Sequence, residues 1–114
     1  MKDPVYFEKR IHYCREFCKY FPEEEELIIH NMHRAIAESY AKLDQFEEAE
    51  REFEKLVQDF PGNPWGYIGW GDLFFDELKD FDKARELYEK ALAIADEYEI
   101  LAVKERLEEL KEER

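Results

Sequence analysis

Apolar residues recur at spacings of three and four along most of the chain, which is the period of an α-helix. Prolines, glycines and aspartates interrupt this pattern and divide it into segments joined by short turns. No segment alternates apolar and polar residues strictly enough to predict a strand. The pattern therefore predicts an all-α fold of six helices, whose apolar stripes fall within residues 4–21, 29–43, 46–60, 65–78, 81–92 and 100–110.

One helix-turn-helix unit occurs twice in the chain. Residues 46–49 (FEEA) return as residues 81–84 (FDKA), so that the two alanines are 35 positions apart. The preceding helix also matches, with residues 36–40 (IAESY) corresponding to residues 70–74 (WGDLF). Ala37 and Gly71 fall where the two helices of each unit are expected to cross, which explains why both residues are small. The chain is therefore predicted to be built from internal repeats.

This pattern resembles the tetratricopeptide repeat, in which small and large apolar residues recur with a period of about 34 residues. The second repeat departs from the family pattern by one extra residue between Phe74 and Ala84, and by Asp96 in place of the closing proline. The first repeat has His33 at a large apolar position and Leu56 at a small one. The matching positions are Ile36, Ala37, Tyr40, Ala49, Phe53, Leu56 and Pro61, then Tyr67, Trp70, Gly71, Phe74, Ala84, Tyr88 and Ala91.

The resemblance implies a single domain of antiparallel helix-turn-helix repeats in a right-handed solenoid. We expect a first repeat at 23–61, a second repeat at 64–96 and a capping helix at 97–114. Residues 1–22 echo the second half of a repeat, with Arg10 where the family has a small residue, and predict a degenerate half repeat. Residues 65–72 also resemble a repeat module of bacterial proteins that carry SEC-C type zinc domains, but no SEC-C cysteine motif is present.

In this family the first helix of each pair lines a concave groove that holds an extended peptide. Large apolar groups on a face that the fold leaves open indicate an interaction site, so we expect Trp65, Ile68 and Phe75 to anchor a partner. Gly69 would leave room for a ligand backbone. The alternative is that these are surface residues, or are covered by the sixth helix or a second chain. The predicted groove residues are Asn31, Arg34, Glu38, Ala41, Lys42, Trp65, Ile68, Gly69, Asp72, Phe75 and Asp76.

The charge of the chain restricts its partners. It has 30 acidic and 17 basic residues, for a formal net charge of −13 at pH 7. Nucleic acid and anionic membranes require a basic face, so neither is expected as a partner. Some members of the family grip a C-terminal carboxylate, but Glu38, Asp72 and Asp76 would repel one. The polarity and register of the bound segment would be set by Arg34, Glu38, Asp72 and Asp76. We therefore expect a protein or peptide partner with an apolar segment flanked by basic residues.

A second hypothesis keeps the fold and changes the function. Two repeats are near the lower limit for a stable solenoid. The apolar groove, or the face of the first helix that carries Arg10, would then form a homodimer. Both hypotheses describe a non-enzymatic module, an adaptor or a scaffold.

Metal binding and catalysis find less support. Cys14, Cys18, His30 and His33 would supply a Cys₂His₂ shell if the first two helices are antiparallel. However, the cysteines occupy apolar positions of the degenerate half repeat. Buried free cysteines that pack in the core account for these residues without a metal. Ser39, the only serine, lies in the middle of a helix, and no glycine-rich phosphate loop follows a strand. We predict no metal, no cofactor and no enzymatic activity.

The location expected from sequence is the cytoplasm. Two cysteines on one helix do not form a disulfide framework, which favours a reducing compartment. The first ten residues lack the layout of a signal peptide, and no run approaches the roughly 20 apolar residues that span a bilayer.

Overall fold

The chain forms six α-helices, and no strand occurs among residues 3–113, which are the residues that this computed structural model describes. The predicted all-α fold is therefore confirmed. The fourth helix continues into a π-helical turn, Leu73–Glu77. The α-helices are α1 (Pro4–Tyr20), α2 (Glu26–Lys42), α3 (Phe46–Asp59), α4 (Pro64–Asp72), α5 (Phe81–Ile94) and α6 (Glu97–Glu112).

Side-chain caps set the beginning of four of these helices, among them α5, where the Asp80 carboxylate accepts a hydrogen bond from the Lys83 N–H. The Asp3 carboxylate accepts a hydrogen bond from the Val5 N–H before α1, and the Asn63 side chain accepts one from the Trp65 N–H before α4. Asp96 and Glu99 form a reciprocal capping box at the start of α6. Each cap satisfies a backbone donor that the first helical turn leaves without a partner, so the helices begin close to the predicted positions.

The two repeats end their first helices in related ways. The Gln45 N–H donates to the Tyr40 carbonyl over 2.9 Å and closes the end of α2. Asp44, just before it, adopts a left-handed conformation with φ of 60°, as is usual after the end of a helix. In the second repeat the corresponding bond runs from Asp80 to Phe74, also over 2.9 Å, and spans one residue more.

The π-helical turn accounts for the extra residue of the second repeat. The Leu78 N–H donates to the carbonyl of Leu73, five residues earlier, over 3.1 Å. A π-type turn holds one residue more than the α-helical turn it replaces. The equivalent of Asp44 is Lys79, which is also left-handed with φ of 55°. The extra residue is therefore absorbed before α5 begins.

Contacts divide the chain into two compact units that meet between Asp59 and Phe60. In the first unit, α2 packs against both α1 and α3. Ile36 and Ala37 are completely buried, and Ile36 shares a core cluster with Ile11 and Cys14 of α1. The Arg15 guanidinium on α1 bonds Glu52 of α3 over 2.7 Å. These contacts fix the three helices to one another.

In the second unit, α5 packs against α4 and α6. The crossing of α4 and α5 is very close, since a Cβ added at Gly71 would lie 2.5 Å from the Tyr88 ring. The predicted packing role of Gly71 is therefore confirmed. The apolar stripe of α6 contributes to the same core, whose fully enclosed large side chains are Ile68, Tyr88, Val103 and Leu110.

Candidate functional site

The predicted groove residues of the first repeat lie along α2 and differ in exposure. Asn31 and Lys42 are exposed, whereas Arg34 and Glu38 are half-buried. Ala41 is buried at 7% exposure and offers no contact surface, which corrects its place in the predicted set. We call the remaining four residues, Asn31, Arg34, Glu38 and Lys42, the α2 face.

Arg10 joins the α2 face from α1. Its guanidinium lies 3.7 Å from the Glu38 carboxylate and donates to the buried Ser39 hydroxyl over 3.4 Å. Arg34 approaches the same carboxylate at 3.9 Å. Arg10 therefore packs on α2 within the chain, and dimerisation through this face stays a prediction.

Ile68 was expected as an exposed anchor, and the structure contradicts this. Its side chain is 1% exposed and lies in the core of the second unit. Gly69 is buried as well, so it does not open room for a ligand backbone. The apolar stripe of α6, which includes Val103 and Leu110, belongs to the same core as Ile68. Ile68 is therefore a core residue and not part of an open face.

Trp65 and Asp72 are also engaged by α6. Arg106 donates to both carboxylate oxygens of Asp72, from Nε over 2.8 Å and from Nη2 over 3.2 Å. The same guanidinium lies 6.0 Å from the centroid of the Trp65 ring, a cation–π distance. A bidentate pair of this kind fixes geometry as well as charge. Both residues thus hold α6 in place.

The Tyr88 hydroxyl completes this network from α5. It donates to the Asp72 carboxylate over 2.5 Å, and the rest of the side chain is buried. Burial raises the pKa of Tyr88, and the nearby Asp72 charge raises it further, so the hydroxyl remains a donor at neutral pH. Asp72, Tyr88 and Arg106 therefore tie α4, α5 and α6 together.

A pocket of about 230 Å³ opens beside this network. Phe75 and Tyr88 supply its aromatic walls, and Arg106, one of its lining residues, already pairs with Asp72. Phe75 is held edge-to-face against Phe81, with ring centroids 5.7 Å apart. We call this the acidic pocket, and it is lined by Asp72, Phe75, Asp76, Tyr88, Glu105, Arg106 and Glu109.

Sequence analysis identified only part of the acidic pocket. Asp72, Phe75 and Asp76 were predicted, and the π-helical turn carries the last two. Glu105, Arg106 and Glu109 were missed, because a charged residue on an amphipathic helix looks like solvated surface. The only feature of the sequence that pointed to these residues was the spacing of Glu105 and Glu109, which places them one turn apart on the last helix.

The cysteines and histidines of the first unit do not form a cluster. Cys14 and Cys18 are free thiols, and burial raises the pKa of both. Burial also lowers the pKa of His30 and of His33, which favours their neutral forms. Within residues 3–113, no three histidine, cysteine or acidic side chains come together as a metal site would require.

None of the helices within the described range combines the length and apolar character needed to cross a membrane.

Comparison with known protein families matches residues 30–73 to the tetratricopeptide repeat. The matched segment begins within α2, covers α3 and α4, and stops at the first residue of the π-helical turn. The searches of curated proteins and of solved structures found no significant match. The match confirms the predicted tetratricopeptide repeat within residues 30–73.

Proposed function

Because the chain carries a tetratricopeptide repeat, we propose that it is an adaptor whose second repeat binds a segment of a partner protein in the acidic pocket. Tetratricopeptide repeats mediate protein–protein interactions and are typically not enzymes. Within this chain, the acidic pocket combines a concave shape, aromatic walls and one dominant sign of charge. The observation that carries the proposal is this combination at the predicted residues Phe75 and Asp76.

The chemistry of the pocket favours a basic side chain next to an apolar one. Four carboxylates line it, and its single guanidinium is already bonded to one of them. A lysine or arginine entering the pocket would meet the charges of Asp76, Glu105 and Glu109. Electrostatic complementarity of this kind provides specificity and fast association. An apolar neighbour in the partner would pack on the partly exposed ring of Phe75.

The π-helical turn supports the same assignment. Turns of this type inside helices are frequent at functional sites. Here the turn carries Phe75 and Asp76, both of which line the pocket. The departure from the family pattern thus coincides with the place where we propose that the partner binds.

A peptide selection tests this function. A random peptide library is selected on the immobilised protein, and the affinity of the enriched peptides is measured by calorimetry. We expect the enriched peptides to combine lysine or arginine with an adjacent apolar residue. Their affinity should fall as the salt concentration rises, because ions screen partly exposed charges.

Two charge reversals sharpen the test. Glu109→Lys alters the acidic pocket, whereas Glu89→Lys makes the same change at an exposed position of α5 outside it. We expect Glu109→Lys to weaken binding about tenfold or more, since one close charge pair across an interface contributes 1.5 kcal/mol or more. Glu89→Lys should bind as the parent does. Equal binding by both variants, or selection of acidic peptides, would contradict the proposal.

A further inference from the structure

The exposed large hydrophobic residues are concentrated in the first and last parts of the sequence. Among the described residues, all nine of them fall within residues 5–27 or 94–101. Scattered apolar side chains are normal on a protein surface, whereas a contiguous group indicates contact with another molecule. The nine residues are Val5, Tyr6, Tyr13, Tyr20, Phe21, Leu27, Ile94, Tyr98 and Leu101.

Three tyrosines form a stripe along α1. Tyr6, Tyr13 and Tyr20 follow one another at intervals of seven residues, which places them on one side of the helix, two turns apart. Their exposed fractions are 57%, 65% and 66%. The opposite side of α1 carries Ile11 and Cys14, which are buried against α2. The tyrosine stripe therefore faces away from the packed side of its own unit.

A smaller apolar patch lies on α6. Tyr98 and Leu101 are 76% and 67% exposed and, three residues apart, are neighbours on one side of the helix. Val103 and Leu110 on the other side are completely buried. The last helix thus caps the core of its unit but does not present the fully polar outer face expected of a solenoid cap.

The two helices differ in charge. Between Pro4 and Tyr20, α1 has four basic and two acidic residues, in a chain whose net charge is −13. Among the six described helices it is the one with an excess of positive charge. Between Glu97 and Glu112, α6 has six acidic and three basic residues. Arg10 and Arg15 pair with Glu38 and Glu52 of the same chain, so Lys9 and Lys19 supply the positive charge beside the tyrosine stripe. The Tyr98–Leu101 patch lies on an acidic helix.

We propose that the tyrosine stripe of α1 binds the Tyr98–Leu101 patch of α6 in a second copy of this chain. The two helices have nearly equal lengths of 17 and 16 residues, so they can pack along their whole length, about 25 Å at 1.5 Å per residue. Exposed Lys9 and Lys19 flank the stripe, and exposed Glu97 and Glu108 flank the patch. Apolar surface and opposite charge are thus brought together.

Charge also selects this pairing over a symmetric one. Packing α1 against α1 would bring Lys9 and Lys19 of two copies together, and packing α6 against α6 would bring Glu97 and Glu108 of two copies together. Like charges across an interface are unfavourable. An α1–α6 contact joins a different surface of each of the two copies. Two copies form the contact once, or twice if it is reciprocal.

Complementary variants test the α1–α6 contact. Tyr13→Glu places an acidic group in the stripe, and Leu101→Lys places a basic group in the patch. The average mass is followed by light scattering over a dilution series. We expect the average mass of the parent to rise with concentration and each variant alone to remain a monomer. An equal mixture of the two variants should associate again, since the intact stripe of one variant meets the intact patch of the other.

Matched controls isolate the effect. Gln58→Glu and Gln58→Lys make the same charge changes at an exposed position of α3 and should associate as the parent does. Circular dichroism confirms folding, and Tyr13→Ser with Leu101→Ser replaces any variant that unfolds. A parent that stays monomeric at every concentration would overturn the proposal. Loss of association in the stripe variant alone would overturn it too, since that result indicates symmetric pairing through α1.

Discussion

Gly71 illustrates at the scale of one residue how the second repeat is packed. A Cβ built there would lie 2.5 Å from Cε1 and 2.7 Å from Cδ1 of Tyr88. The ring cannot easily move away, because its hydroxyl is bonded to Asp72 and the side chain is 1% exposed. Hydrogen bonding in the core therefore fixes the ring that makes glycine necessary in α4.

We predict that Gly71→Ala destabilises the protein. Alanine favours a helix by about 1 kcal/mol over glycine, but overpacking a fixed core costs about 1–3 kcal/mol. The free energy of unfolding, measured by urea denaturation, should therefore fall. Gly62→Ala is the control, since nothing lies within 4 Å of a Cβ at that position. An increase in stability on Gly71→Ala would show that Tyr88 is free to move.

His30 gives a prediction for the dependence of stability on pH. The side chain is 1% exposed, and burial lowers its pKa below the ordinary value of 6.5. Between the folded and unfolded pKa values the unfolded chain binds more protons, so stability falls as the pH drops through 6.5. The effect is complete below the folded pKa.

The variant His30→Met isolates this contribution. Lowering the pH also neutralises carboxylates of this acidic chain, so the parent and the variant must be compared under the same conditions. We expect the unfolding free energy to drop less in the variant between about pH 7.5 and pH 5.5. An identical pH profile would contradict a neutral, buried His30. His33, whose pKa is also lowered by burial, is present in both proteins.

At the scale of secondary structure elements, the π-helical turn of the second repeat shows how a repeat accommodates an insertion. Without Asp76, residues 74–81 would read FFELKDF and align with residues 40–46, YAKLDQF. Leu78 would then correspond to Leu43, and Lys79 to the left-handed Asp44. The extra residue is confined to the turn, and the core positions on either side keep their spacing.

We predict that deleting Asp76 preserves the fold. The π-helical turn should become an α-helical one, and thermal unfolding should remain cooperative with little loss of stability. Deleting Glu54 from α3 is the control, because it rotates Leu56 and Val57 out of the core by about 100°. If both deletions unfold the protein, the turn is not where the insertion is absorbed. The Asp76 deletion should also abolish peptide binding, since Asp76 and Phe75 line the acidic pocket.

At the scale of the whole molecule, local sequence patterns predicted the helices but not which parts of the chain pack against them. The six helices follow from apolar periodicity and from prolines such as Pro4 and Pro64, which act within a few residues. The crossing at Gly71 follows from the repeat. Ile68 looked exposed because members of its core cluster, such as Tyr88 and Val103, lie 20 or more residues away along the chain.

The acidic pocket illustrates the same limit. The apolar stripe of α6 predicts that one side of this helix is buried, but not which surface it covers. Arg106 therefore looked like a solvent-exposed charged residue, although it bonds Asp72 and lies over Trp65. Two predicted site residues, Trp65 and Asp72, thus make structural contacts, and the neighbouring Phe75 and Asp76 line the pocket.

Amide shift mapping with a selected basic–apolar peptide is the most direct test of where a partner binds. The protein is labelled with ¹⁵N and titrated with the peptide, and the shift changes are followed along the chain. We expect them to concentrate around Phe75 and Asp76 and around Glu105 to Glu109, and to weaken in Glu109→Lys but not in Glu89→Lys. Changes confined to the α2 face, or to the tyrosine stripe of α1, would contradict binding in the acidic pocket.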